Sequence, residues 1–149
     1  MQEVLIEKII YLTKKLASDV SGCGFSRPDI TVYNPLEYAW RPHERYLRSF
    51  AASPKRVLLL GMNPGPWGMV QTGVPFGDVS MVRDWMGIEE PVGKPAAEHP
   101  KRPVHGFLTR KSEVSGSRLW GLMRERFRHA DRFFADHLVL NYCPLVFME

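Results

Sequence analysis

The chain has 149 residues, 44% of them hydrophobic and 24% charged, with a formal net charge of +4. That length suffices for one domain with its own core, the composition argues against intrinsic disorder, and no apolar run reaches the roughly 20 residues of a membrane span. The positive balance mildly favours a polyanionic partner. Cys23 and Cys143 show no metal-ligand spacing and fit a reducing compartment. The amino terminus is acidic and amphipathic rather than a signal peptide, so a soluble, intracellular protein is expected.

Residues 3–17 (EVLIEKIIYLTKKLA) place Val4, Leu5, Ile9, Leu12 and Leu16 at helical spacing, which predicts an amphipathic helix with those residues inward. Its lysines read as a solvated face. Residues 21–35 hold Gly22, Gly24, Pro28 and Pro35 and read as irregular. Tyr33 to Trp40 is aromatic-rich and is expected to pack near a site. Pro42 suits the first turn of a short helix ending at Phe50. His43, in that turn, reads as a surface or capping residue.

The centre of the chain is Arg56 to Asp78, RVLLLGMNPGPWGMVQTGVPFGD. Val57 to Leu60 are consecutive apolar residues between a charge and a glycine, which predicts a strand buried on both faces. The loop after it carries Pro64, Gly65, Pro66, Gly68, Gly73, Pro75 and Gly77, so its path is tight and specified. Asp78 is placed to cap a helix with Met81, Val82 and Trp85 inward. A strand, a rigid loop and a helix form the place where open α/β sheets bind ligands. Asn63 is a neutral polar group just past the strand; Trp67 and Phe76 offer flat faces. The glycine spacing is not that of a dinucleotide fingerprint, and no Walker lysine follows. Pro64 and Pro66 also remove amides that a phosphate cradle would use.

Gly87 to Gly106 is a long irregular stretch with Lys94, Lys101 and Arg102, either a basic loop beside a nucleic-acid site or a solvated loop. Ser115 opens a second helical pattern with Leu119, Leu122, Met123 and Phe127 inward, and Asp131 to Ala135 suits one further turn. His137 to Leu140 is a second strand candidate, ending at Asn141 before the turn YCPL. Two parallel strands would deliver Asn63 and Asn141 to one crevice.

GMNPGPWGMVQTGVPFGD resembles the first active-site motif of the single-strand-selective monofunctional uracil-DNA glycosylases, within the uracil-DNA glycosylase superfamily. The resemblance continues through VSMVRDWMGI (79–88), HPKRPV (99–104), SEVSGSRLWG (112–121) and NYCPL (141–145). Trp67 stands where many members have another aromatic. The resemblance implies a single α/β domain over residues 1–149, with a parallel sheet flanked by helices and only about two of its central strands present. It implies excision of uracil and 5-modified uracils, such as 5-hydroxymethyluracil, from single- and double-stranded DNA during base excision repair. Asn63 would position the attacking water. Phe76 would stack on the flipped base and Asn141 would read its edge. Backbone amides near Met62 and Phe76 would hold the carbonyls, and Gly65 would leave space for C5 substituents. No metal or other cofactor is implied. A monomer is expected, in the nucleus or the bacterial nucleoid.

Members of this family carry a second motif, H-P-S-P-x-N-P, which none of the five histidines here heads. The expectation is therefore a chain truncated at its carboxyl end, weak in activity and stability. Two other readings stay open: a DNA-binding remnant without catalysis, and a small-molecule α/β enzyme with the same loop design.

Overall fold

The computed structural model describes residues 1–25 and 27–149. Helix α1 (Gln2–Ser21) turns Ile6, Ile10 and Ala17 inward. Val4, Leu12 and Leu16, expected on that face, are exposed. The helix is apolar on more than one side, so spacing alone admits several stripes, and packing on the neighbouring α3 decides between them. The stretch expected to be irregular contains a short strand, β1 (Thr31–Tyr33). The side chain of Asn34 accepts the Leu36 amide and starts α2 (Pro35–Tyr38). Helix α3 (Trp40–Phe50) follows, with Pro42 in its first turn, where the ring breaks no helical hydrogen bond.

Strand β2 (Val57–Gly61) leads into the long central loop, which contains one helical turn, α4 (Met69–Thr72). Val79 and Ser80 begin the next helix, and Met81–Trp85 wind more widely as a single π turn. Val82 is fully buried there, with Met81 and Trp85 half-buried. The stretch from 87 to 105 is irregular and ends in a 3₁₀ turn at Gly106–Leu108. Helix α5 (Val114–Phe127), helix α6 (Ala130–Asp136), strand β3 (His137–Asn141) and strand β4 (Val146–Met148) complete the chain.

Strands β2 and β3 pair in parallel, Val57 opposite His137 and Gly61 opposite Asn141. The pairing runs on into the loops, where Tyr142 N–H donates to the Gly61 carbonyl (2.8 Å) and Cys143 N–H to that of Met62 (2.9 Å). Strands β1 and β4 form a separate antiparallel pair, Thr31 opposite Met148. Val139 of β3 is fully buried, and the Tyr46 hydroxyl donates to its carbonyl (2.8 Å) and accepts from its amide (3.3 Å). One side chain thereby satisfies the outer edge of β3 at that residue. Strand β2 departs from the double-sided burial expected of it. Leu58 and Leu60 are 57% and 56% exposed, because the described residues supply no third strand and nothing that covers that face.

The main core gathers Tyr46 and Phe50 of α3, Trp120 of α5 and Phe133 and Phe134 of α6 behind the paired strands. Phe50 and Phe134 stack with centroids 3.9 Å apart, and the other rings meet mostly edge to face. In α5 Trp120 is fully buried and Leu119, Met123 and Phe127 pack partly buried against the core as expected, while Leu122, also expected inward, is exposed. Among the described residues no helix is long and apolar enough to cross a membrane.

Candidate active site

The loop from Gly61 to Asp78 is held from behind by buried polar groups. Thr72, fully buried, donates to the Gly77 carbonyl (2.9 Å) and accepts from Val74 N–H (3.3 Å). His43 lies inside rather than on the surface, and its Nδ1–H donates to the Gly73 carbonyl (2.8 Å). Burial drives its pKa down to about 4, outweighing the opposing pull of that carbonyl, so the imidazole is neutral near pH 7. Gln71, also fully buried, donates to the carbonyls of Pro66 and Pro103 (both 3.0 Å) and accepts the amides of His105 (2.8 Å) and Gly106 (3.1 Å). The glutamine thus fastens the central loop to the basic stretch.

Asp78 ties the loop to α5. Its carboxylate accepts from Ser80 (2.6 Å) and Ser112 (2.7 Å) hydroxyls and from Glu113 N–H (3.0 Å). Burial works to raise its pKa, but these bonds and the Met81 amide outweigh it and hold the group below the usual range. The capping role expected of Asp78 is present and extends to a second helix. Helix α5 meets the loop at Gly116, where a β-carbon would collide with the Phe76 carbonyl. Phe76 itself sits at φ 54°, an unfavourable left-handed conformation for a bulky residue.

Asn63, Gly65, Phe76, Glu113 and Ser115, with Phe147 from β4, line an open cleft of about 390 Å³. Asn63 is exposed, and among the described residues its amide reaches only the Pro64 carbonyl, at 3.5 Å. Gly61 brings the next two groups together. A β-carbon there would lie 2.5 Å from both the Asn141 side-chain oxygen and the Phe76 ring. Asn141 is therefore pressed against the strand end beside Phe76. Its Nδ2 donates to the Met69 sulfur (3.2 Å), while its Oδ1 is buried without a hydrogen-bond partner among the described residues. Met62 stands apart: its side chain is 81% exposed and its carbonyl is engaged by Cys143.

Two features are absent from the sequence expectations. The space beside Gly65 faces Glu113, whose carboxylate oxygen would lie 2.6 Å from a β-carbon at that glycine. The same carboxylate accepts Trp67 N–H (3.3 Å). An acidic residue at the start of α5 was the only signal for it. The second is β4, too short to announce itself. Among the described residues no three His, Cys, Asp or Glu side chains are grouped to hold a metal. The cleft thus offers a flat ring and a free neutral amide, and beside the ring, outside the lining, lies a buried acceptor in want of a donor. An orphaned buried acceptor costs about 1–3 kcal/mol, a cost that a matching ligand donor removes.

No family model matches the chain. It is 50% identical over 134 residues to the single-strand selective monofunctional uracil DNA glycosylase of Mus musculus, covering 90% of this chain and 48% of that protein. The Bos taurus protein of the same name is 49% identical over 144 residues, covering 97% and 53%. The crystal structure of wild-type Pedobacter heparinus SMUG2 superposes with a TM-score of 0.58 at 21% identity, covering 91% of this chain and 54% of that one, which supports the fold alone. By sequence over nearly all its length, the chain is a homologue of the single-strand selective monofunctional uracil-DNA glycosylases, spanning about half the length of the curated relatives it matches.

Proposed function

We propose that the cleft of Asn63, Phe76 and Asn141 takes uracil from a DNA strand and supports hydrolysis of its bond to deoxyribose. The observation that carries this reading is the buried, unpartnered Oδ1 of Asn141 beside the Phe76 ring. Uracil presents N3–H to such an acceptor, with a carbonyl beside it for the Asn141 amide. Cytosine presents a bare N3 and an amino group, the opposite pattern. The base must leave the stack to reach the cleft.

In the reaction, water attacks C1′ as the C1′–N1 bond breaks, and the bonding pair leaves on the base. Asn63 accepts a hydrogen bond from that water and aims it. A neutral amide cannot hold the proton, which passes to solvent, so the chemistry depends on a cationic sugar and a stabilised anionic base. Backbone amides around Met62 and Phe76 supply donors for the base carbonyls. Glu113 beside Gly65 bears on 5-modified uracils: a hydroxymethyl group at C5 donates to the carboxylate, while a methyl group cannot.

Asn141→Asp tests the reading. A carboxylate cannot donate to O4 but accepts the cytosine amine. Excision of uracil relative to cytosine should therefore fall by about 1–3 kcal/mol of discrimination. Unchanged discrimination in single-turnover assays would remove Asn141 as the reader.

A further inference from the structure

A second cleft opens beside Trp67 of the same loop, lined by that residue with Lys101, His105, Leu108, Arg110 and Lys111, with a volume of about 380 Å³. The Lys111 ammonium lies 4.3 Å from the Trp67 ring centroid and the Arg102 guanidinium carbon 5.6 Å. Among the described residues, none of Lys101, Arg102, Arg110 and Lys111 enters an ion pair. Four uncompensated cations close together repel one another, and the fold does not let them drift apart freely. Gln71 pins the chain at Pro66, Pro103, His105 and Gly106. Cations gathered around an aromatic face, with no acid in the cleft lining, match one ligand chemistry: phosphates carrying flat bases.

We propose that this second cleft grips single-stranded DNA next to the nucleotide whose base enters the first. The proposal rests on the reading of the first cleft as a base pocket on a DNA strand. Asn63 and Trp67 are four residues apart on one loop, so one strand running along the loop passes both. Lys101, Arg110 and Lys111 meet phosphates. Trp67 stacks an unpaired base, and Lys111 exchanges the ring for that nucleotide's phosphate. Stacking needs a base that is out of a duplex, so the cleft favours single strands.

The test is fluorescence anisotropy on the full chain with two labelled strands free of uracil, one oligothymidylate and one abasic throughout, titrated over a range of sodium chloride. Replacing Lys101, Arg110 and Lys111, all exposed, by alanine should lower the slope of log affinity against log salt by about 2, from about 0.7 per phosphate contact on single strands. Lys8→Ala with Lys15→Ala, on the exposed side of α1, should leave the slope unchanged. Trp67→Leu should weaken oligothymidylate binding about 5- to 100-fold and spare the abasic strand. A triple variant with the parent slope, or a Trp67→Leu loss equal on both strands, would overturn the proposal. A parallel titration compares a strand carrying one uracil with the same strand carrying cytosine there. Equal affinity for the two with the expected slopes sinks only the reading of the first cleft; a preference for uracil with an unaltered slope in the triple variant sinks only this one.

Discussion

The two clefts on the central loop are built from opposite materials. The one around Asn63 carries one acid and no cation in its lining: an amide and a phenyl ring, with Glu113 bonded to the loop backbone and Asn141 beside the ring. The one around Trp67 is cationic and carries no acid in its lining. Their anchors differ as well. His43 holds the loop at the Gly73 carbonyl, a titratable contact, whereas Gln71, which does not titrate, holds Pro103 and His105 of the second cleft to Pro66 of the first. On the proposed reading, a cation in the first would compete with the weak dipoles that discriminate one base from another. Charge in the second costs nothing in selectivity, because phosphates look alike in every sequence. Under the two proposals, the first surface reads and the second holds.

The sharpest way to break that division is Asn63→Ala. In an active form of the protein this should leave strand binding nearly intact and lower single-turnover base release by on the order of 10²–10⁴-fold, the usual span for a positioned catalytic group. A parallel loss of binding would mean that the first cleft also holds. Acid is the next largest perturbation. His43 has a folded pKa near 4 against an unfolded value near 6.5, so the unfolded chain takes up the proton first. Stability is then full above about pH 6.5 and falls as pH drops towards 4, by about 3 kcal/mol in all. Asp78, held below its ordinary range, keeps its contribution through that window and loses it only at still lower pH. Thermal melts between pH 4 and 7 should show the decline in the parent and its absence in His43→Gln. An unaltered slope in that variant would place the sensitive group elsewhere.

Two smaller changes sharpen the role of the acid in the first cleft. Gly65→Ala should destabilise the fold by about 1 kcal/mol, since the new β-carbon meets the far end of the Glu113 side chain, which swings aside and gives up its bond to Trp67 N–H. In a Glu113→Ala chain the same change should cost little more, and a full further loss there would show that the clash lies with another group. Glu113→Gln alone should cost about 1 kcal/mol, the difference between a charge-assisted and a neutral bond from Trp67 N–H. Denaturant titration measures both.

The elements nearest the site were legible because each carries a local signature. Val57–Leu60 and His137–Leu140 are apolar runs stopped by polar residues, and both are strands, paired in parallel as the crevice required. Burial was less legible. Leu58 and Leu60 read as core but face outwards, since a run of leucines says nothing about what lies opposite. Strands β1 and β4 are three residues each and pair across Thr31 and Met148, a partnership no window of local sequence contains. Glu113 resembles any acid opening a helix until the fold sets it against Gly65 and Gly68. His43 read as a surface group because its burial depends on the Gly73 turn, thirty residues away.

The Tyr46 hydroxyl, bonded to both backbone groups of Val139, has a consequence for how the parallel pair can grow. A strand approaching β3 from outside finds that residue's donor and acceptor already taken, by a phenol fixed in the core. The outer edge of β2 has no strand partner among the described residues. Templating is therefore directional: a further strand, whichever molecule supplies it, joins in one order only, beside β2. The Val139 amide proton should accordingly exchange with solvent at the pace of core opening rather than of strand separation.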